Sequence, residues 1–156
     1  MRVHLGGDHA AYDLLVDLVE FLEGSGHEVT NHGPHGYDAL DDYPVFVLRA
    51  AEAVAADPGS FGVVLGGSGN GEQMAANKVT GIRAALCYDD DLARLAREHN
   101  DAQVISIGAR MNTVDQARSM VEAFLGTAFS GDPRHARRIA MVQAYDESGT
   151  LPPQPA

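Results

Sequence analysis

Short apolar runs alternate with longer amphipathic segments along the sequence, and this alternation restricts the possible folds more than any other feature. Phe61–Leu65 is almost wholly apolar, as expected of a strand buried on both faces of a parallel sheet. We predict four more strands, over residues 2–5, 27–30, 82–86 and 104–107. Helical patterns separate these strands, and such an order predicts an α/β fold with helices on both faces of a five-stranded parallel sheet.

The whole pattern fits one domain over residues 1–146, a Rossmann-like or flavodoxin-like three-layer sandwich. A chain of 156 residues that is 45% hydrophobic can bury a substantial core. Its last helix is expected over Pro133–Tyr145, and residues 147–156, which contain three prolines, are expected to form an extended tail. In open parallel sheets ligands bind outside the carboxyl ends of the strands, so residues that directly follow strands are the functional candidates.

The formal net charge of −11 indicates which classes of partner the chain is not expected to bind. Such an acidic surface repels nucleic acid and anionic lipid, so we expect neither as a partner. No apolar run approaches the roughly 20 residues that a membrane-spanning helix needs, and the first residues lack the features of a secretion signal. Cys87 is the single cysteine, so no internal disulfide can form, and we expect a cytoplasmic protein.

A glycine loop follows the buried strand, with the sequence Gly-Gly-Ser-Gly-Asn-Gly over residues 66–71. Four glycines in six positions let backbone N–H groups turn inward, and the helix that follows adds its positive end. The loop is not a P-loop, because no Lys-Ser/Thr ends it, nor is it a dinucleotide fingerprint. A tight strand-to-helix turn is the alternative, but one or two glycines would suffice for that. We therefore interpret the segment as an anion-binding loop.

Glu72 lies in the first turn of the helix after this loop. A carboxylate at that position is stabilised by the helix dipole, which is sufficient reason for its presence. It can also act as a general base that removes a proton from the carbon next to a sugar carbonyl. The dipole lowers the pKa of such a carboxyl and burial raises it, and the sequence leaves the outcome open.

Two histidines are candidates for proton transfer or for binding. His9 follows Asp8 at the end of the first strand, where Asp8 also has a structural role as a helix cap. His99 belongs to the run Glu-His-Asn-Asp at a helix end, where the dipole stabilises a cation. A histidine titrates near neutral pH, which also suits the opening of a sugar ring. Both interpretations stay open for each histidine.

The densest basic cluster is Arg-His-Ala-Arg-Arg over residues 134–138. Arg134 and Arg138 share a helix face, where they repel each other unless an anion or a carboxylate joins them. Salt bridges within this acidic chain are one explanation. A phosphate clamp is the other, because the planar fork of arginine matches phosphate oxygens. Arg110, just after the fifth strand, is a further candidate for the same clamp.

The loop over residues 31–42 carries several side chains that can bind metal ions. They lie close together in sequence and are His32, His35, Asp38, Asp41 and Asp42. Their spacing follows no pattern that a metal site requires, so we predict no metal. Cys87 follows an apolar strand and is expected in the core rather than as a nucleophile.

Taken together, these residues resemble ribose-5-phosphate isomerase B, within a broader family of isomerases that also act on galactose and allose 6-phosphates. The resemblance extends over nearly the whole chain, to about Tyr145. The motifs that carry it are Gly6-Gly7-Asp8-His9-Ala10, Asp42-Tyr43-Pro44, Gly67-Ser68-Gly69-Asn70-Gly71, Ala75-Ala76-Asn77-Lys78, Gly81-Ile82-Arg83-Ala84-Ala85, Glu98-His99-Asn100-Asp101 and Arg134-His135.

The resemblance implies a cofactor-free isomerase that interconverts ribose 5-phosphate and ribulose 5-phosphate through an enediolate. It implies a homodimer or a tetramer with its sites between subunits, where the His-Asn pair and some arginines come from the neighbouring chain. The catalytic roles that it implies fall to Glu72, Ser68, His99 and Asp8. The substrate contacts that it implies are His9, Tyr43, Gly67, Gly69, Asn70, Gly71, Asn100, Arg110, Arg134 and Arg138.

One position departs from the pattern of many family members. They carry a catalytic cysteine at the end of the third strand, where this chain has Gly66. The subgroup that resembles the mycobacterial enzymes lacks this cysteine and uses a glutamate in the glycine loop instead. Glu72 occupies that position, and Cys87 lies too far along the chain to replace the missing thiol.

Two other functions stay open at this point. An isomerase for a different aldose phosphate, such as an allose, galactose or tetrose phosphate, would keep the same catalytic residues and differ in the length of its pocket. A flavodoxin-like or nucleotide-sensing module would use the glycine loop without turnover. Such a binder would have no need of Glu72, Ser68 and His99 together.

Overall fold

The computed structural model describes residues 1–154 and contains a five-stranded, all-parallel sheet, which confirms the predicted fold class. The strands are β1 (Arg2–Gly6), β2 (Glu28–Asn31), β3 (Phe61–Gly66), β4 (Ala84–Leu86) and β5 (Val104–Gly108). Their order across the sheet is β2-β1-β3-β5-β4. The fourth strand starts two residues later than predicted, because the N–H of Ile82 is still engaged in a turn with the carbonyl of Val79.

Six helices connect and follow the strands. They are α1 (Tyr12–Gly24), preceded by a short 3-10 turn, α2 (Tyr43–Ala56), α3 (Asn70–Ala76), α4 (Asp90–Asn100), α5 (Val114–Gly126) and α6 (Pro133–Ser148). Side-chain caps fix several of their starts. Asp8 accepts from the Ala10 N–H before α1, Asp89 accepts from the Leu92 N–H before α4, and Thr113 forms a capping box before α5.

The end of the chain differs in detail from the expected tail. Helix α6 runs to Ser148, three residues beyond the predicted end at Tyr145, and Gly149 then ends it in a left-handed conformation with φ of 69°. Residues 151–154 form no helix or strand. The last two residues of the predicted tail, 155 and 156, lie outside the described residues.

The core consists of two apolar layers, one on each face of the sheet. On one face α1, α4 and α5 pack over β1, β3 and β5, with Leu15, Ile105 and Phe124 wholly buried. On the other face α2 and α3 pack through a smaller cluster that includes Val47, Val64 and Val104. Since helices cover both faces, β3 in the centre of the sheet is apolar along its whole length, as the sequence predicts.

Helix α6 lies apart from both layers. It packs mainly against α4, Asp146 also accepts the Gly81 N–H at 2.7 Å, and His135 is the single buried residue of its sixteen. Met141, Val142 and Tyr145 on this helix are 41%, 60% and 55% exposed. These three side chains leave apolar surface of α6 exposed.

The order of the strands places a crevice at one edge of the sheet. The chain leaves β1 toward β2 on one side and returns to β3 on the other, so β1 and β3 flank a topological switch point. Ligands of open α/β sheets bind at such points, outside the carboxyl ends of the strands. Among the described residues, none of the helices is long and apolar enough to cross a membrane.

Candidate functional site

The carboxyl edge of the sheet gathers most of the predicted site residues. Asp8 and His9 follow β1, the glycine loop follows β3, and Arg110 follows β5. The Arg110 N–H donates to the carbonyl of Gly67 at 3.0 Å, which joins the last two segments. Tyr43, at the start of α2, closes the crevice from the other side.

Close packing explains why the loop needs its glycines. A Cβ on Gly71 would lie 2.7 Å from the ring of Tyr43, and a Cβ on Gly69 would lie 2.7 Å from Leu86. Gly69 also has φ of +82°, a conformation that side chains disfavour. The loop therefore requires glycine for the approach of neighbouring groups as well as for its turn. Helix α3 begins at Asn70, so Gly71 belongs to its first turn.

Ser68 and Asn70 form the exposed rim of this loop. The Ser68 Oγ accepts hydrogen bonds from the backbone N–H and the side-chain amide of Asn70, both at 3.3 Å. Both bonds lie near the upper limit of length for hydrogen bonds. The hydroxyl thus stays available to a ligand that enters the crevice.

Glu72 is buried at the floor of the crevice, with 4% of its surface exposed. Its carboxyl group fills the space beside Gly66, where an added Cβ would overlap both carboxyl oxygens. Gly66 is the position at which many members of the resembled family carry a cysteine. The carboxyl group of Glu72 thus lies where the side chain of residue 66 would otherwise begin.

Burial decides the direction of the Glu72 pKa, which the sequence left open. Removal from water is the largest effect, and it raises the pKa above the ordinary value. The charge of Asp8 also raises it, while the backbone N–H groups of Glu72 and Gly69 lower it. A carboxyl group with a raised pKa and a place in a crevice is suited to accept a proton from carbon.

His9 has an unexpected partner in Asp41. The Asp41 Oδ1 lies 2.7 Å from the His9 Nδ1 and accepts the His9 backbone N–H at 2.9 Å. This hydrogen bond is the main reason why the pKa of His9 is raised, and the charge of Asp8 adds to it. The sequence pointed to Asp41 only as a metal-ligand candidate, because 32 positions separate the two residues.

The other metal-ligand candidates of the 31–42 loop point to different neighbours. The His32 ring lies 3.1 Å from His4, and Asp38 accepts the N–H of Leu40. Among residues 1–154 no group of three or more histidine, cysteine or acidic side chains could hold a metal ion. Cys87 is buried and free, and burial raises the pKa of its thiol to about 12, as expected of a core residue.

The arginines of the chain divide into two classes. Five of them form ion pairs with aspartates, namely Arg2, Arg83, Arg94, Arg97 and Arg118. The other five pair with no carboxylate within the described part of the chain, and they are Arg49, Arg137 and the three predicted clamp residues Arg110, Arg134 and Arg138. In a chain with an excess of acids, unpaired arginines at these positions favour the phosphate clamp over internal salt bridges.

A second group of site residues lies where α4 ends and α6 begins. The ring of His99 packs on that of His135 with 4.2 Å between centroids, and Ser130 holds the Nδ1 of His135 at 2.9 Å. Arg134 is the neighbour of His135, while Asn100 and Arg138 line a common groove beside β4. These residues lie near one another, and the end of α4 lies toward the amino ends of the strands, opposite the edge that carries the glycine loop.

The register of the strands gives the separation of the two groups. The side chain of Arg83 donates to the carbonyl of Asn100, and Arg83 lies level with Gln103, just before β5. Gly66, beside Glu72, pairs with Gly108, five residues farther along. Five residues of a strand span about 16 Å. Within one chain, therefore, the end of α4 with Asn100 lies about 16 Å along the sheet from the level of Gly66 and Glu72.

Sequence and structure comparisons give a consistent result. The sequence model of the ribose/galactose isomerase family matches residues 3–142 of this chain. The chain is 53% identical over 155 residues to ribose-5-phosphate isomerase B of Mycobacterium tuberculosis, covering 99% of this chain and 96% of that protein. The solved structure of the Clostridium thermocellum enzyme matches with a TM-score of 0.91 and 39% identity, covering 96% of this chain and 100% of the other. The Mycoplasma genitalium enzyme with bound ribulose-5-phosphate matches with a TM-score of 0.90 and 35% identity, covering 94% and 97%.

Proposed function

The chain belongs to the ribose/galactose isomerase family, and on that premise we propose that it interconverts D-ribose 5-phosphate and D-ribulose 5-phosphate. The observation that carries the proposal is the carboxyl group of Glu72, buried beside Gly66 under a glycine loop. The relative from M. tuberculosis bears the name of this activity, and the M. genitalium structure contains the ketose product.

Binding begins at the phosphate. Arg110 and His9 lie at the carboxyl edge of one chain, and the Asp41 carboxylate favours the charged form of His9. Arg134 and Arg138, supplied by a second chain, complete the clamp. The negative charge of the phosphate is thus matched by His9 and by arginines that have no internal carboxylate partner, although the whole protein is acidic. Tyr43 and Asn100 contact the sugar.

Ring opening precedes isomerisation, because only the open form has a free carbonyl at C1. His99 of the second chain, assisted by Asp8, moves the proton from the anomeric hydroxyl toward the ring oxygen. The bond between C1 and the ring oxygen breaks, the ring oxygen becomes the hydroxyl of C4, and C1 becomes the aldehyde.

Proton transfer then converts the aldose to the ketose. Glu72 removes the proton from C2, and the electrons move to the carbonyl oxygen to give an enediolate. Amide groups of Gly67–Gly71 stabilise the negative charge on that oxygen. Removal of one comparable donor raises the activation barrier by about 3–4 kcal/mol in other enzymes. Ser68 passes a proton between the two substrate oxygens, and Glu72 returns its proton to C1.

The active unit in this proposal is a homodimer or a tetramer whose sites lie between chains. Three observations support it: the end of α4 with Asn100 lies about 16 Å along the sheet from the level of Glu72, the clamp arginines are unpaired, and α6 exposes apolar surface. The reaction assigns the chain to the pentose phosphate pathway. The free, buried Cys87 agrees with the proposed cytoplasmic location.

A direct assay tests the activity. Purified protein, treated with a chelator, is incubated with ribose 5-phosphate, and ribulose 5-phosphate formation is measured. Turnover supports the proposal. Absence of turnover, together with activity on allose, galactose or tetrose phosphates, would transfer the same mechanism to another aldose phosphate. If no sugar phosphate is converted and the protein binds a nucleotide or flavin tightly, the result would favour a binding module and contradict the proposal.

Subunit complementation tests whether two chains share each site. Glu72→Gln and His99→Gln homodimers should each be poorly active. A heterodimer of the two variants, purified through two different tags, has one site with both substitutions and one intact site. We expect it to recover about half of the wild-type activity, because its two sites are equivalent by symmetry. If both residues acted within one chain, the heterodimer would be no better than its parents.

A further inference from the structure

A buried hydroxyl in the inner strand β5 has no part in the mechanism described above. Ser106 is wholly buried, and its neighbours in sequence, Ile105 and Ile107, are buried apolar side chains. A hydroxyl in such surroundings is costly unless it has a hydrogen-bond partner. Its partner is the carbonyl oxygen of Gly69, to which the Ser106 Oγ donates at 2.7 Å.

Gly69 is the residue from which helix α3 starts. Its carbonyl also accepts the N–H of Gln73 at 3.0 Å, the first hydrogen bond of the helix. Ile107 and Gly108 enclose Gly69, since an added Cβ would lie 3.1 and 3.2 Å from their backbone atoms. Ser106 therefore joins the first turn of α3 to the middle of the sheet.

Glu72 depends on this first turn for its position. It follows Gly69 by three residues, and its carboxyl group must fit the narrow space beside Gly66. We propose that Ser106 is a positioning residue, which holds Gly69 and thereby fixes Glu72 in the geometry required for proton transfer. The effect expected on kcat rests on the proposed isomerase function, whereas the effect on the position of Glu72 does not.

The backbone N–H of Gly69 links the hydrogen bond of Ser106 to the pKa of Glu72. This amide is one of the groups that lower the pKa of Glu72, against the effects of burial and of Asp8. When Gly69 loses its tether, the amide stabilises the carboxylate less well. The pKa of Glu72 should then rise further.

The test compares Ser106→Ala with Ser60→Ala. Ser60 is equally buried, at 2% exposure, but its Oγ has no hydrogen-bond partner within residues 1–154, and it lies at the other end of β3. Ser106→Ala should lower kcat roughly 10- to 100-fold with little change in KM, since a small misplacement of a catalytic group has effects of this size. The acidic limb of its kcat/KM profile should shift to higher pH. Ser60→Ala should change neither quantity.

A measurement that needs no activity separates this inference from the proposed function. The carboxyl carbon of Glu72, labelled with 13C and assigned with Glu72→Gln, reports its pKa directly. A higher pKa in Ser106→Ala, and a normal one in Ser106→Thr, which keeps the hydroxyl, supports the positioning role even if the substrate is a different sugar. An unchanged Glu72 titration in folded Ser106→Ala would overturn it, as would a Ser106→Thr variant that behaves like Ser106→Ala.

Discussion

Replacement of Glu72 by glutamine is expected to lower kcat for ribose 5-phosphate by about 10²- to 10⁴-fold, the range that general bases contribute. Glutamine keeps the size of the side chain and can fill the space beside Gly66, but it cannot accept a proton from carbon. Because the phosphate clamp is untouched, KM should change little. The measurement is initial-rate kinetics of ribulose 5-phosphate formation.

The same substitution should not weaken the fold. The native state raises the pKa of Glu72 above its unfolded value, so ionisation of this carboxyl costs stability at neutral pH. That cost is present above the folded pKa and disappears as the pH falls below the unfolded value. Glu72→Gln should therefore be at least as stable as wild type near pH 7, with an advantage that shrinks as the pH falls through the raised pKa of Glu72 and is absent below about pH 4.

Glu52→Gln is the matched control, since Glu52 is an exposed glutamate on α2, outside the crevice. It should leave both kinetics and stability close to those of wild type. An active Glu72→Gln variant would remove Glu72 from the mechanism. A Glu72→Gln protein that unfolds more readily at pH 7 would instead contradict the account of its pKa.

Replacement of Gly66 by alanine should have the second-largest effect. The added Cβ overlaps the carboxyl group of Glu72, so that carboxyl group must leave its position. We expect kcat to fall by about 10²-fold because the base is displaced, and the free energy of unfolding to fall by about 1–3 kcal/mol because the site is overpacked. Kinetics and urea unfolding measure the two effects.

Gly24→Ala provides the control for glycine substitution. Gly24 lies at the end of α1, and nothing lies within 4 Å of an added Cβ. Its substitution should change stability by no more than about 0.5 kcal/mol. A Gly66→Ala variant as active and stable as Gly24→Ala would show that the carboxyl group of Glu72 does not need the space beside Gly66.

A double variant tests whether the overlap between a Cβ at position 66 and the Glu72 carboxyl group causes the loss of stability. In a Glu72→Ala background the carboxyl group is absent, so Gly66→Ala should no longer destabilise the protein. The two substitutions should thus be strongly non-additive in stability, as expected for groups in contact. Activity should stay low in the double variant. Additive stability effects would mean that the overlap is not the cause.

Much of the fold could be predicted because its signals are local. The apolar run of β3 and the caps Asp8, Asp89 and Thr113 require only neighbouring residues to be recognised. Helix α6 begins at Pro133, as predicted, for the same reason. The end of α6 was harder, because no strong stop signal precedes Gly149.

The site was predictable only in part. Residues that follow strands could be selected, since parallel strands end at a common edge. The pairing of His9 with Asp41 and of Ser106 with Gly69 depends on contacts between segments distant in sequence. The raised pKa of Glu72 depends on burial, and burial is a property of the folded chain.

The space beside Gly66 also restricts how such an enzyme can change over generations. It accommodates either the carboxyl group of Glu72 or a side chain at position 66, but not both. On the proposed mechanism, a lineage that uses Glu72 as its base loses activity if it first acquires a cysteine at position 66, because that step displaces the carboxyl group. The two catalytic solutions are therefore separated by a poorly active ancestor or by a simultaneous double change, which favours the persistence of each within its own branch.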